Sequence, residues 1–204
     1  MKAFTNTELI ETRSKWAKRI APLTMLFLIG GLITNFLSIN QPEYFRPTLV
    51  LLALGFVSAI ISSSLVNNWV REPRADQVLI QLLKKFGNDY LLFNYTAAAP
   101  HVLVAPDGIY AIVVKHHDGQ IQVNGRRFSR KFTLRRLLRL LADEGLGAPI
   151  AEAEKQVSKL SKQLSNQLAE AEIPEIKPMV IFSNKDVALT VNEPDIPVMQ
   201  TSQV

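Results

Sequence analysis

The hydrophobic pattern divides the chain into an apolar first part and a longer part of mixed composition. Residues Ile20 to Ile39 and Thr48 to Val66 form two runs without a charged side chain. Each run is long enough to cross a hydrocarbon core of about 30 Å at about 1.5 Å per helical residue. A cleavable signal peptide is the alternative for the first run, but that run is long for such a segment and a second one follows at once. The pattern therefore predicts a transmembrane hairpin at residues 20–66.

Positive charge is concentrated on one flank of this hairpin. The connection between the runs carries only Arg46, and Arg71 and Arg74 lie in the predicted linker at 67–74. The segment at 1–19 carries five cations before the first run, namely Lys2, Arg13, Lys15, Lys18 and Arg19. Because basic flanks remain in the cytoplasm, we expect a multi-pass protein of the cell (plasma) membrane with both termini cytoplasmic.

Small residues recur along the second run. Gly55, Ala59 and Ser63 are spaced every four residues. Small side chains allow membrane helices to approach closely. This spacing predicts tight packing within the hairpin or against another copy of the chain, so a homo-oligomer is one expected assembly in the bilayer.

The pattern after residue 74 is that of one folded domain at 75–204. Helical spacing of leucines predicts a first helix at Ala75 to Phe86, and the segment after Pro149 predicts a long helix to about Ala171. In that long helix the apolar stripe consists of Val157, Leu160, Leu164, Leu168 and Ala171. Apolar runs between turn signals predict the strands, which are Asp89 to Tyr95, His101 to Val104, Ile109 to Val114, Gln120 to Val123, Arg126 to Phe132 and Lys177 to Phe182.

The stretch from His101 to Gly119 carries the most specific motif. Two apolar runs flank Pro106-Asp107-Gly108, and the second run ends in Lys115. This layout resembles the nuclease-related domain (NERD), a branch of the restriction-endonuclease-like superfamily. The family pattern has Asp-His at the first strand, Pro-x-Gly at the turn and Glu-x-Lys at the end of the second strand. The resemblance covers roughly Ala75 to Val198 and implies an α/β fold, with an αβββαβ core and a mixed sheet that follow the hairpin.

The resemblance also implies a magnesium-dependent nuclease site, and this sequence departs from it. Pro100 stands in the place of the metal-binding Asp and Val113 in the place of the Glu. Carboxylate oxygens are needed to hold magnesium at such a site. Lys115 is then either a vestigial catalytic residue or a solvated lysine at a strand end. Asp76 is a weak further candidate for a catalytic carboxylate, since the family often opens its first helix with Gly-Glu and Ala75-Asp76 stands at that place.

The head of the long helix departs from the family pattern as well. The family has Asn-Pro-x-x-Gln there, and this chain keeps Pro149 but has Ala148 and Glu152 at the polar positions. We therefore predict no metal and no cofactor, with magnesium expected only if nuclease activity remains.

Positive charge in the domain is local. Seven cations occupy an acid-free stretch, and against the net charge of +5 they leave the rest of the chain at −2. These cations are Arg126, Arg127, Arg130, Lys131, Arg135, Arg136 and Arg139. Residues 134–141 have the leucine spacing of an amphipathic helix. Such a segment lies on an anionic inner leaflet, follows a nucleic-acid backbone, or is a solvated face.

Other kinds of site are weakly represented. His116, His117 and Asp118 are adjacent, so they point to alternate faces and favour a solvated turn over a metal site. The chain has no cysteine, which excludes a cysteine nucleophile. The hypothesis from sequence is a degenerate, membrane-anchored domain that binds or scaffolds nucleic acid or an anionic membrane surface. The alternatives are a residual magnesium-dependent nuclease that uses Asp76, Lys115 and Asp107 or Asp118, and a purely structural membrane protein.

Overall fold

The computed structural model describes residues 1–131, 145–168 and 174–203. They form two compact units, one of Thr7–Arg74 and one of Met1–Asn6 with the described residues from Ala75 onward. The predicted helix at 134–141 and the end of the predicted long helix lie outside the described residues.

The first unit is a helical hairpin. Its helices are α1 (Thr7–Ser38) and α2 (Phe45–Trp69), and a short 3-10 turn at Pro42–Tyr44 joins them. Both helices are long and apolar enough to cross a membrane, and only 6% and 11% of their most apolar windows are buried in the structure. The core helix of a soluble domain would bury such a window, so the exposed apolar surface agrees with the predicted hairpin.

The two helices pack through small residues at a seven-residue spacing. The buried positions of α2 are Thr48, Gly55 and Ser62, and those of α1 are Ile10, Ala17, Thr24 and Gly31. A Cβ on Gly31 would lie 2.7 Å from Leu52 Cδ2, and one on Gly55 would lie 2.6 Å from Leu28 Cδ2. The prediction of close packing at Gly55 is correct, but the period is seven, which is the period of a left-handed helix pair.

The second unit is a mixed α/β domain. Its helices are α3 (Ala75–Leu83) and α4 (Pro149–Ser165). Its strands are β1 (Lys2–Thr5), β2 (Leu91–Asn94), β3 (His101–Ala105), β4 (Gly108–Lys115), β5 (Gly119–Asn124), β6 (Arg127–Arg130), β7 (Ile176–Phe182), β8 (Val187–Asn192) and β9 (Val198–Gln200). The chain order is α3, β2, β3, β4, β5, β6, α4, β7. Apart from β5 and β6, which belong to the smaller sheet, this is the predicted αβββαβ order.

Two sheets make up the domain. The six-stranded sheet has the order β1-β2-β3-β4-β7-β9, and the three-stranded sheet has the order β6-β5-β8. β2, β3 and β4 pair antiparallel, whereas β4 pairs parallel with β7 and β7 with β9. The parallel pairs require a crossover, which α4 supplies between β4 and β7.

The two helices cover opposite faces of the six-stranded sheet. On one face, Leu79 and Leu83 of α3 pack with Ile112 and Ile181. On the other face, Ile150 of α4 belongs to the apolar cluster that contains the flanking strand residues Val113, Val180 and Phe182. This alternation places every second residue of β4 under the same helix.

The strand β1 was not expected from the hydrophobic pattern. It precedes the hairpin in the chain and pairs parallel with β2, with Lys2 opposite Leu91 and Thr5 opposite Asn94. The hairpin is therefore inserted in sequence between the edge strand of the sheet and the rest of the domain. The short strands β8 and β9 were not expected either.

The stripe on the long helix ends earlier than the pattern predicts. α4 ends at Ser165, and Leu168 lies in the following turn with 40% of its surface exposed. Leu160 is buried and Val157 and Leu164 pack beside it, as expected. The apolar spacing in the sequence thus continues to Leu168, but the buried part of the helix ends before it.

We expect Gly55→Leu to destabilise the hairpin by about 1–3 kcal/mol, because the added side chain must displace Leu28 from the close contact. The full chain in mild detergent would be titrated with sodium dodecyl sulfate, and the midpoint of loss of helix should fall. Phe56→Leu changes an exposed neighbouring residue and should leave the midpoint unchanged. Equal midpoints for the two variants would contradict the observed packing.

Candidate functional site

The strand β4 presents Lys115 on the face that α4 covers. Val113 packs in one cluster with Ile150 of α4, whereas Ile112 packs with α3. Lys115 is two residues from Val113 and so shares its face. Val113 is 2% exposed. The position at which the resemblance expects a glutamate is thus filled by an apolar side chain that belongs to the core.

The position of the second expected acid, Pro100, also has no carboxylate. Pro100 directly precedes β3, and its carbonyl oxygen accepts a hydrogen bond from the Tyr95 backbone N–H at 2.7 Å. Proline and valine offer no side-chain oxygen, so these two positions do not fit the magnesium ion that the resemblance implies. Within the described part of the chain, no group of three or more histidine, aspartate or glutamate side chains could hold a metal ion.

Lys115 pairs with a carboxylate from the first turn of α4. Its Nζ lies 2.5 Å from Glu152 Oε2, and the two side chains are 18% and 45% exposed. Glu152 stands where the resemblance expects the Gln of Asn-Pro-x-x-Gln, a position close to the lysine in space. The lysine therefore has a direct counter-ion, which lowers its attraction for a phosphate.

Sequence reasoning identified Glu152 only as a departure from the family pattern. Its partnership with Lys115 joins residues 37 positions apart, and the sequence gives no local spacing that would reveal it. The usable signal is the family pattern itself, because both residues fall on positions of the same motif set.

The ends of β4 and β7 carry a further polar contact. His116 Nδ1 lies 2.9 Å from Ser183 Oγ, and the backbone N–H of Ser183 donates to the Lys115 carbonyl at 2.9 Å. His117 is buried beside them. Both histidines follow the end of β4, and only His116 is exposed, so the expected solvated turn is wrong for His117.

Asp76 lies on the other face of the sheet from Lys115. It is the second residue of α3, and α3 packs against the face opposite to α4. Both Asp76 and His101 are buried. Burial lowers the pKa of His101 to about 4, with the charge of Asp76 opposing that shift. The structure therefore brings Asp76 together with His101 and does not bring it to Lys115.

His101 has a defined hydrogen-bond partner that the sequence did not identify. Its Nδ1 lies 2.9 Å from Oδ1 of Asn94, the residue opposite it on β2. The Nδ2 group of Asn94 donates to Thr5 Oγ1 at 3.2 Å. The only signal in the sequence is a polar residue at the end of an apolar run, which is common at strand ends.

The other two candidate carboxylates are engaged elsewhere. Asp107 accepts a hydrogen bond from the Tyr110 hydroxyl at the far end of the β3–β4 hairpin, and that bond is the main cause of its lowered pKa. Asp118 pairs with Arg130, whose Nε also donates to the Asp118 carbonyl at 2.8 Å. Both carboxylates therefore have partners other than Lys115.

The basic segment is partly neutralised where the structure describes it. Arg126 donates from both terminal nitrogens to Glu154, at 2.7 and 2.6 Å, and reaches Asp195 at 3.4 Å. Glu154 is the main cause of the raised pKa of Arg126. Arg127 and Lys131 are exposed. The three remaining cations, Arg135, Arg136 and Arg139, lie outside the described residues.

The comparisons with known proteins agree with the motif. The family model described as the nuclease-related domain matches residues 68–183. This range contains α3, the first five strands after it, α4 and β7. No curated protein and no solved structure matches the chain. Since the family model covers more than half of the 204 residues, the chain belongs to the nuclease-related domain (NERD) family.

Proposed function

We propose that this NERD-family protein is anchored in a membrane by its hairpin and that its domain binds or scaffolds without cleaving a phosphodiester. The observation that carries the proposal is the 2.5 Å contact between Lys115 and Glu152. In a magnesium-dependent nuclease, carboxylates beside the lysine hold the metal. Here the carboxylate nearest the lysine is its counter-ion, and the neighbouring position Val113 is apolar and buried.

The ligand that we favour is the anionic surface of the cytoplasmic leaflet. Basic residues near such a surface contribute about 1 kcal/mol each. A hairpin anchor would keep the domain close to the lipid, which raises the effective concentration of one for the other. Nucleic acid is the alternative ligand for the same cations. The Glu154 and Asp118 partners of Arg126 and Arg130 reduce either attraction, so the proposal depends most on Arg127 and the three cations at 135–139.

The proposed orientation places the domain in the cytoplasm. The basic residues of segment 1–19 support it. The pairing of β1 with β2 supports a common side for both flanks, because strands on opposite sides of a bilayer cannot pair. Two spans return the chain to the side on which it started, which agrees with that pairing.

A residual magnesium-dependent nuclease is the second candidate. One observation favours it, which is that Glu152 supplies a carboxylate beside Lys115. Asp76 packs on the opposite face, and Asp118 is paired with Arg130. The Glu152 carboxylate is already paired with Lys115, which makes it a weaker ligand for a magnesium ion.

We expect the purified full chain to show no magnesium- or manganese-dependent cleavage of DNA or RNA. The same result is expected for Lys115→Ala and for the control Lys159→Ala, an exposed lysine of α4. Gel assays on labelled single- and double-stranded substrates would measure it. Cleavage by the wild type that Lys115→Ala abolishes and Lys159→Ala retains would replace our proposal with the nuclease alternative.

We expect the combined change of Arg135, Arg136 and Arg139 to Gln to weaken contact of the domain with anionic lipid. The reporter is Ser129→Cys, an exposed position in a chain without cysteine. In nanodiscs with anionic lipid its reaction with a thiol reagent should be slower than in zwitterionic nanodiscs, and salt should remove the difference.

The matched control changes three exposed lysines of α4, Lys155, Lys159 and Lys162, to Gln. It should retain the protection that the arginine variant loses. Equal thiol reactivity in both kinds of nanodisc, combined with salt-dependent binding of labelled duplex DNA, would favour nucleic acid as the ligand. If neither the lipid protection nor the DNA binding is observed, the basic segment is only a solvated face.

We expect a membrane-impermeant thiol reagent to label Gln41→Cys in intact cells. Ala3→Cys and Ser129→Cys should react only after the membrane is permeabilised, because the proposed orientation places both inside. All three positions are exposed in the structure, so accessibility differs only through the membrane. Labelling of Ala3→Cys and Ser129→Cys but not of Gln41→Cys would reverse the orientation.

A further inference from the structure

The two chain segments that flank the hairpin meet at one buried polar cluster. Thr5 ends β1, two residues before α1 begins, and Asp76 is the second residue of α3, the first helix after the hairpin. Between them lie Asn94 of β2 and His101 of β3, which are opposite each other in the sheet. We call Thr5, Asp76, Asn94 and His101 the flank cluster.

Each contact in this cluster has a defined direction. His101 Nδ1 donates to Asn94 Oδ1 at 2.9 Å, and Asn94 Nδ2 donates to Thr5 Oγ1 at 3.2 Å. In this orientation one buried amide contacts both His101 and Thr5. Because Asn94 is fully buried, loss of either partner would leave one of its polar atoms unsatisfied, which is costly in a core.

Backbone and ring contacts continue the attachment of β1. The Asn6 backbone N–H donates to the Asn94 carbonyl at 3.0 Å, and Lys2 N–H donates to the Tyr90 carbonyl at 3.0 Å. The rings of Phe4 and Phe93 stack with centroids 5.1 Å apart. β1 is the edge strand and largely exposed. These contacts and the cluster hold it together with the ladder to β2 and the hydrogen bond from the Met1 amino group to the Phe86 carbonyl at 3.1 Å.

We propose that His101, through Asn94, positions the edge strand β1 and so fastens the segment before the hairpin to the sheet that follows the hairpin. His101 is a positioning residue in this role. The role is independent of whether the domain binds lipid, nucleic acid or neither. It also gives a physical use to the histidine of the family pattern in a chain where Pro100 replaces the neighbouring aspartate.

The electrostatics of the cluster agree with a structural hydrogen bond. The lowered pKa of His101, about 4, keeps its ring neutral near pH 7. A neutral ring with its proton on Nδ1 is the form that donates to Asn94. Tyr95 covers the ring in an edge contact, with centroids 4.9 Å apart, and this packing helps to exclude water from the bond.

Hydrogen exchange of the full chain in detergent tests the proposal. The backbone amides of segment 2–6 should be protected in the wild type. His101→Leu should speed their exchange by roughly fivefold, the effect of losing about one net hydrogen bond, and exchange in β5 should not change. His101→Asn retains a donor near Nδ1 and should recover most of the protection. Ile112→Val, in the neighbouring apolar cluster, should not affect segment 2–6 selectively.

A variant of Thr5 tests the same contact independently, in case His101→Leu does not fold. Thr5→Val removes the acceptor from β1 alone, and it should also speed exchange of segment 2–6 selectively, whereas Thr5→Ser should not. Free-peptide exchange of this segment in the wild type would overturn the proposal. Uniform acceleration of both sheets by His101→Leu, with no effect of Thr5→Val, would also overturn it, since the histidine would then have only a general role in stability.

Cross-linking gives an independent readout of the docked strand. Phe4 and Phe93 are partners in the strand register, and the described residues contain no cysteine to compete. The pair Phe4→Cys and Phe93→Cys should form an intramolecular disulfide in the membrane-embedded chain, and Thr5→Val should slow its formation. Phe4→Cys with Ser129→Cys, a residue of the other sheet, should not cross-link. Equal cross-linking of both pairs would contradict the proposed position of β1.

Discussion

The parallel pairing of β4 with β7 organises the domain. Seven consecutive residue pairs, from Ile109 with Ile176 to Lys115 with Phe182, bring two distant segments together. Parallel neighbours need a crossover, and α4 is the helix within it. Once this pair is formed, alternate residues of both strands face α3 or α4. The buried layers on each face, and the position of Lys115 at the strand end, depend on this register.

The same register determines the chemistry available near Lys115. At Val113 the strand contributes to the apolar core, and at Lys115 it reaches the head of α4, where Glu152 lies. A charged pair that is partly exposed adds little stability. The pair instead gives Lys115 a counter-ion from the same chain, Glu152. On the other face, three polar side chains are buried in the domain interior, namely Asn94, His101 and Asp76.

Sequence reasoning reached the core of the fold because the strongest patterns coincide with the most buried elements. Both apolar runs lie in helices, and the strands with continuous apolar residues are the central strands β3, β4 and β7. The strand β1 was not predicted because its four residues are mostly exposed and its partner strand is about 90 residues away in the chain. Its pairing depends on tertiary contacts that no local window contains.

The candidate site was predictable only in part for a related reason. The family pattern located Lys115, His101 and the two missing acids by position. It could not reveal that Glu152 contacts the lysine or that Asp76 belongs with His101 on the opposite face. Those facts follow from which helix covers which face, and the packing of both helices on the sheet decides this.

The insertion of the hairpin between β1 and the rest of the sheet has a consequence for biosynthesis. Residues 2–5 are synthesised before the hairpin, but their partners at 91–94 follow only after both apolar helices have been made. Closing a chain loop of this length costs conformational entropy, which grows slowly with length. The two joined helices of the hairpin shorten the flexible part of that loop. Both helices of the hairpin are thus made before the sheet can be completed, and the edge strand β1 has no strand partner during that interval.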